Sequence, residues 1–163
     1  MTTATMEGER TREWLGLVGW LAVVAVAAVF GSQFTPGSWY DELTKPEWTP
    51  PGRVFGPVWT VLYVAMAVAA WLVWQRRDFD GARLALGLFL VQLVLNALWS
   101  ALFFGMESPG AGLVDIALLW ITLLATVVLF FRMHLVAGFL LVPYLAWVSF
   151  AAALNLSIWM LNP

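Results

Sequence analysis

The sequence predicts an all-α membrane protein, a five-transmembrane-helix bundle with a long structured loop between the first and second helices. Of the 163 residues, 62% are apolar and 11% are charged, whereas an ordinary globular protein is about 45–50% apolar and about 25% charged. A chain of this length cannot bury so much apolar surface in one soluble core. The charges are also gathered in short segments, which leave five long, almost uncharged runs between them.

The five runs define the expected helices. Each is close to the ~20 residues that cross ~30 Å of hydrocarbon as a helix, and none shows the alternation of a membrane β-strand. We expect a polar N-terminal tail at 1–13 and a single transmembrane domain at 14–163. The helices are predicted at about 14–34, 54–74, 84–104, 112–131 and 135–159.

Basic residues favour one side of this arrangement. We call the side of the N-terminus the basic side and the other the opposite side. The positive-inside rule places the N-terminus in the cytoplasm if the protein lies in a plasma membrane. The net charge of −2 argues against nucleic acid as a partner. The basic side has Arg10, Arg12, Arg76, Arg77, Arg83 and Arg132, and the opposite side has Lys45 and Arg53.

The connection at 35–53, TPGSWYDELTKPEWTPPGR, is much longer than the others. Long connections tend to be functional, and Pro46, Pro50 and Pro51 restrict the backbone here. We therefore predict a stiff lid on the opposite side of the bundle. Lys45 and Arg53 could meet carboxylates of a ligand beneath it, or remain a solvated pair.

Eleven tryptophans are the most unusual feature of the composition. An aromatic belt explains those near the span ends, but Trp147 lies roughly 18 Å from the opposite-side end of its helix at ~1.5 Å per residue. Helical spacing places Tyr63 on one face with Trp59, and Ala151 and Leu154 on one face with Trp147. Aromatic walls around a small residue are typical of a pocket for a flat hydrophobic ligand.

A polar stripe in the third span should face the bundle interior, because amides are costly in lipid. The stripe consists of Gln92, Asn96 and Ser100, with Trp99 beside it. It either holds the bundle together by hydrogen bonds or brings Asn96 to a ligand. Asp115, the only carboxylate within a span, is expected near the headgroups.

The sequence contains no recognisable catalytic or metal-binding motif. Without cysteine there is no thiolate metal ligand or nucleophile. His134, the only histidine, lies on the basic side, so it cannot be an axial ligand of haem iron in the pocket. No cofactor is expected to be required. If a porphyrin occupies the pocket, either protoporphyrin or a haem-like ring, it would be held by ring stacking and by its edge groups. The AxxxA spacing of Ala97 and Ala101 weakly indicates a homodimer.

Three stretches carry a resemblance to a known family: WYDELTKPEWTPPGRVFGPVWTVLYVAMAVA, FLVQLVLNALWSALFF and PYLAWVSFAAALNLSIWMLN. They resemble, in the same order, the TspO/MBR family of tryptophan-rich sensory proteins, which includes the animal translocator protein or peripheral-type benzodiazepine receptor. The resemblance implies a five-helix bundle, often dimeric. It also implies a cavity beneath the first loop that binds porphyrins, sterols and benzodiazepine-type ligands.

The resemblance also assigns roles to individual residues. Trp59 and Trp147 match the tryptophans linked to porphyrin photodegradation, and they are the catalytic candidates if the protein is photochemical. The sterol motif of animal members needs a Tyr followed by Lys or Arg, which LNLSIWMLNP lacks. With the helix faces above, the candidate ligand-binding residues are Tyr40, Trp59, Tyr63, Asn96, Trp99, Ser100, Trp147, Ala151 and Leu154.

The sequence therefore predicts a multi-pass membrane receptor or sensor that binds porphyrin in an aromatic cavity under the first loop. Transport and light-dependent porphyrin breakdown remain open as additional roles. The alternatives are a small-molecule transporter and a regulator that binds sterol or benzodiazepine-type ligands.

Overall fold

The computed structural model describes the backbone of residues 3–163 and the side chains of residues 13–163. In this range the chain is helical apart from its connections, and five helices are long and apolar enough to cross a membrane. The predicted five-helix membrane bundle is confirmed. The long helices are α1 (Thr3–Ser32), α3 (Phe55–Trp74), α4 (Ala82–Ser100), α5 (Pro109–Met133) and α6 (Leu135–Leu161), and a short α2 (Ser38–Glu42) lies in the first loop.

Two helix ends differ most from the predicted ranges. α1 begins at Thr3, but its membrane-spanning part begins at Glu13, close to the predicted residue 14, because polar residues outside the hydrocarbon can continue a helix. The side chains of Arg10 and Arg12, which we assigned to the basic side, lie outside the described part of the chain. α4 passes directly into one π-helical turn, Ala101–Gly105, which completes the third span. Such turns are frequent at functional sites.

The helices pack as an antiparallel bundle. α5 lies between α4 and α6, whereas α1 packs on α3 and α4, and α3 also packs on α6. Ala67 and Ala70 of α3 are fully buried, which lets the neighbouring helices approach closely. Phe89 of α4 stacks on Phe130 of α5, with ring centroids 5.7 Å apart. These contacts fill the interior of the bundle towards the basic side.

Local capping explains where α5 and α6 begin. The Ser108 hydroxyl accepts a hydrogen bond from the Ala111 N–H at 3.3 Å, and Pro109 takes the first helical position. Nδ1 of His134 accepts a hydrogen bond from the Ala137 N–H at 3.4 Å. The single histidine thus caps α6 on the basic side.

The AxxxA pair does not form the exposed stripe that a helix-dimer motif requires. Ala97 is only 8% exposed and packs within the core of the chain itself. The reason is that α1 and α5 both cover α4. The spacing therefore no longer supports a homodimer, which stays a prediction.

The loop at 35–53 folds over the opposite-side end of the bundle. It contains α2 and leads through a 3-10 turn, Gly52–Val54, into α3. Trp39 packs edge-on against Phe103, with ring centroids 5.9 Å apart, and Trp48 packs similarly against Phe150 at 5.6 Å. Aromatic contacts near both ends thus hold the loop against the bundle.

Candidate ligand-binding site

Two adjacent cavities lie beneath the loop. The inner cavity, of about 400 Å³, lies among α1, α3, α4 and α6. The outer cavity, of about 280 Å³, lies between the loop and the opposite-side ends of α4 and α6. Both are lined mainly by aromatic and aliphatic groups. They share the lining residues Pro36, Phe55, Trp99, Phe104 and Ala151.

The structure brings all the candidate ligand-binding residues to one cavity or the other. Trp99 and Ala151 line both cavities, and Tyr40 and Leu154 line the outer one. The inner cavity also has Trp59, Tyr63, Asn96, Ser100 and Trp147. Their role in binding a ligand stays a prediction, but they form one continuous site.

Tyr63 connects the aromatic and polar parts of the inner cavity. Its ring stacks on Trp59, with centroids 5.2 Å apart and an interplanar angle of 29°. Its hydroxyl donates a 2.8 Å hydrogen bond to Oδ1 of Asn96. The polar stripe of α4 therefore holds helices together and lines the cavity, so its two interpretations are compatible.

Two phenylalanine rings hold Trp147 at the wall of the inner cavity. It packs edge-on against Phe55 at the start of α3, with centroids 5.6 Å apart, and lies at a tilt of 34° to Phe150 of its own helix, at 5.5 Å. Ala151, one turn further along α6, lines the same cavity with only a methyl side chain. Its role in leaving room for a ligand stays a prediction.

Trp99 lies where the two cavities meet. Its Nε1–H donates to Oδ1 of Asn155 at 3.0 Å, and Nδ2 of Asn155 donates to the Pro109 carbonyl at 2.8 Å. Gly112 allows this arrangement, since a Cβ there would lie 3.0 Å from Oδ1 of Asn155. Stacking on Phe103 at 5.0 Å fixes the indole further. α4, α5 and α6 are therefore tied together at the wall of the site.

Lys45 is the one cationic residue that lines the outer cavity. Nζ lies 4.5 Å from the centre of the Tyr40 ring and donates to the Asp41 carbonyl at 3.3 Å. Burial raises the pKa of the Tyr40 hydroxyl, and the neighbouring Asp41 carboxylate raises it further. Arg53 is exposed and lines neither cavity, so only Lys45 of the two predicted loop cations lies at the site.

Sequence reasoning missed several lining residues. α1 contributes Ala28, Gly31 and Ser32 to the inner cavity, although its run of small and apolar residues showed no distinguishing pattern. Phe55 and Asn155 lay within the segments that carried the family resemblance, and that resemblance was the only signal that could have indicated them.

Asp115 is buried rather than near the headgroups, which corrects our expectation. Its exposed fraction is 4%, because the face of α5 that carries Gly112 and Asp115 packs into the bundle. Among the described side chains, two buried polar atoms lack a hydrogen-bond partner: Oδ2 of Asp115 and Nε2 of Gln92. The Oε1 atom of Gln92 accepts a hydrogen bond from Tyr144 at 2.9 Å.

Comparison with known proteins identifies the family. The model of the TspO/MBR family matches residues 20–160. This chain belongs to the TspO/MBR family. The sequence is 50% identical to the Tryptophan-rich protein TspO of Chlorobaculum tepidum over 82% of this chain and 87% of that protein. It is 41% identical to Protein CrtK of Rhodobacter capsulatus over 85% and 88%, and 38% identical to the human Translocator protein over 90% and 89%.

Membership of the TspO/MBR family confirms the resemblance drawn from the three segments. The matched region contains the long loop, both cavities and all the candidate residues. Together with five apolar helices, it makes this chain an integral, multi-pass membrane protein.

Proposed function

We propose that this protein is a membrane receptor or sensor that binds a porphyrin, or a related flat tetrapyrrole, in the cavities beneath the first loop. The observation that carries the proposal is the presence of Trp59 and Trp147 on the wall of one cavity of about 400 Å³. Large rings of this kind bind a planar aromatic ligand by offset stacking and edge contacts. The tetrapyrrole is the ligand, and binding requires no cofactor.

The few polar groups suit the edge of such a ligand. Tyr63 fixes the orientation of the Asn96 amide, whose remaining polar group is an N–H donor. Lys45 lies at the outer cavity, where it can meet a peripheral carboxylate. A ligand that extends from the inner to the outer cavity would therefore have its ring between the tryptophans and an anionic edge near the loop.

Titration of the purified protein with protoporphyrin tests the proposal directly. We expect saturable quenching of tryptophan emission at one ligand per chain. Trp14 is 62% exposed and lies outside both cavities, so Trp14→Phe serves as a control that binds like the parent protein. Quenching that rises linearly without saturation would reject a defined porphyrin site.

Light-dependent breakdown of the bound porphyrin is a second candidate function. It is favoured by the position of Trp59 and Trp147 on the same cavity wall, where both could donate electrons to an excited ligand. The measurement is ligand loss under illumination with porphyrin in excess. Loss of several equivalents of porphyrin per chain would indicate an enzyme. Loss limited to one equivalent would indicate a binding protein that reacts once and does not turn over.

Transport and regulation by other hydrophobic ligands are the remaining alternatives. Porphyrin flux across proteoliposomes separates a transporter from a receptor. Competition by a sterol or a benzodiazepine-type compound against bound protoporphyrin tests a broader ligand range. A cytoplasmic N-terminus, as the arginine distribution favours, would put the loop on the outer face of a plasma membrane.

A further inference from the structure

We propose that Asn162 is a positioning residue that fastens the loop at 35–53 over the ligand site. Its side chain pairs with both backbone groups of Thr44. The Thr44 N–H donates to Oδ1 of Asn162 at 2.9 Å, and Nδ2 of Asn162 donates to the Thr44 carbonyl at 3.0 Å. We call this pair of hydrogen bonds the clamp.

The clamp is anchored to the transmembrane bundle. Nδ2 of Asn162 also donates to the Ile158 carbonyl at 2.8 Å, which is one of the carbonyls left free at the end of α6. The amide therefore cannot rotate freely and presents a fixed donor and acceptor to Thr44. Among the described residues, these two are the only hydrogen bonds between the loop and the part of the chain that follows α3.

The clamp holds the middle of the loop, which covers the ligand site. It lies between the aromatic anchors Trp39 and Trp48, which contact Phe103 and Phe150. Aromatic contacts tolerate sliding, whereas a two-point amide pair fixes the backbone in one register, as in a pair of β-strands. The clamp thus determines where the middle of the loop lies.

The residue that the clamp positions most directly is the next one, Lys45. Lys45 lines the outer cavity with its Nζ over the Tyr40 ring. Thr44 itself is exposed, and the other contacts of Lys45 lie within the loop, where its Nζ donates to the Asp41 and Leu43 carbonyls. Opening the outer cavity by moving this part of the loop requires both hydrogen bonds to Asn162 to break.

Hydrogen exchange tests the clamp without any ligand. In the full chain in detergent, Asn162→Ala should increase exchange of the Thr44 amide about tenfold, the factor expected when a net-stabilising hydrogen-bond pair is lost. Asn162→Asp keeps an acceptor for the Thr44 N–H but cannot donate, so the Thr44 amide in this variant should exchange faster than in the parent protein and slower than in Asn162→Ala. Ser157→Ala is the matched control, because Ser157 bonds only to the Ala153 carbonyl within α6.

A second measurement asks whether the clamp controls release. This part rests on the proposed function and uses protoporphyrin with stopped-flow detection of tryptophan emission. We expect the ligand to leave Asn162→Ala about three to thirty times faster than the parent, with the association rate little changed. Circular dichroism of each variant confirms that the helical content is unchanged.

The outcomes are separable. Parent-like exchange of Thr44 in a folded Asn162→Ala variant overturns the clamp. Faster exchange with an unchanged release rate shows that Asn162 fastens the loop but does not control the site, which overturns the second part. Failure of the parent protein to bind protoporphyrin rejects the proposed function and leaves the exchange result, and the clamp, standing.

Discussion

The hydroxyl of Tyr63 in α3 donates a 2.8 Å hydrogen bond to Oδ1 of Asn96 in α4, so the two side chains orient one another at the wall of the inner cavity. The bond joins two consecutive transmembrane helices across 33 residues of sequence. It also directs the donor side of the Asn96 amide away from Tyr63. The arrangement makes the polar character of the cavity depend on a phenolic oxygen that need not contact the ligand.

Removal of that oxygen should weaken ligand binding without removing a ring. Tyr63→Phe keeps the stacking on Trp59 and frees the Asn96 amide, and we expect protoporphyrin affinity to fall by about three- to tenfold, the equivalent of one modest hydrogen bond. Fluorescence titration measures the change. Thr122→Ala, which loses only a bond within α5, should bind like the parent, and equal affinity in Tyr63→Phe would contradict the prediction.

Truncation of Trp147 should have a larger effect. Trp147→Ala removes one wall of the inner cavity, and a central aromatic contact is commonly worth about 2 kcal/mol or more, which is roughly thirtyfold in dissociation constant. The same titration reports it. Trp120→Ala removes a tryptophan that bonds to Ser149 outside both cavities, so this variant should retain the parent affinity. If the two variants bind equally well, the site has been misplaced.

Photochemistry should depend on the paired tryptophans rather than on cavity shape. Trp59→Phe combined with Trp147→Phe leaves aromatic rings in place but removes the readily oxidised indoles. We expect the bound porphyrin to persist under illumination in this double variant, as followed by absorbance of the ligand. Breakdown at the parental rate would mean that the two tryptophans only form the wall.

Loosening the loop should accelerate ligand release. Pro50 lines the outer cavity and is followed by Pro51, and replacing both with glycine enlarges the set of backbone conformations open to the loop. Dissociation of protoporphyrin, measured by stopped flow, should become several times faster while association changes little. Identical release from a folded variant would indicate that ligands enter and leave between the helices, from the bilayer.

The positions of the five helices, and the helix faces that carry Trp59 and Trp147, could be predicted from local sequence patterns. Long uncharged runs must be helical in hydrocarbon, because every backbone group needs an internal hydrogen bond there. The five spans, and with them which loops share an end of the bundle, could therefore be predicted. Helical periodicity then placed Trp59 with Tyr63, and Trp147 with Ala151, on common faces. In the structure both faces line the inner cavity, as that pattern suggests. The family resemblance added Tyr40, which lines the outer cavity.

Contacts between different elements could be seen only in the tertiary structure, because the periodicity of one helix does not contain them. Asp115 is buried on the face of α5 that carries Gly112, where α5 closely approaches Asn155 of α6, and that approach depends on both helices. Trp99 is oriented by Asn155, 56 residues away, and the loop is fastened by Asn162, 118 residues from Thr44. A sequence pattern reports which face of one helix avoids lipid, whereas such contacts depend on the rotation and depth of two elements relative to each other, which only packing of the whole bundle sets.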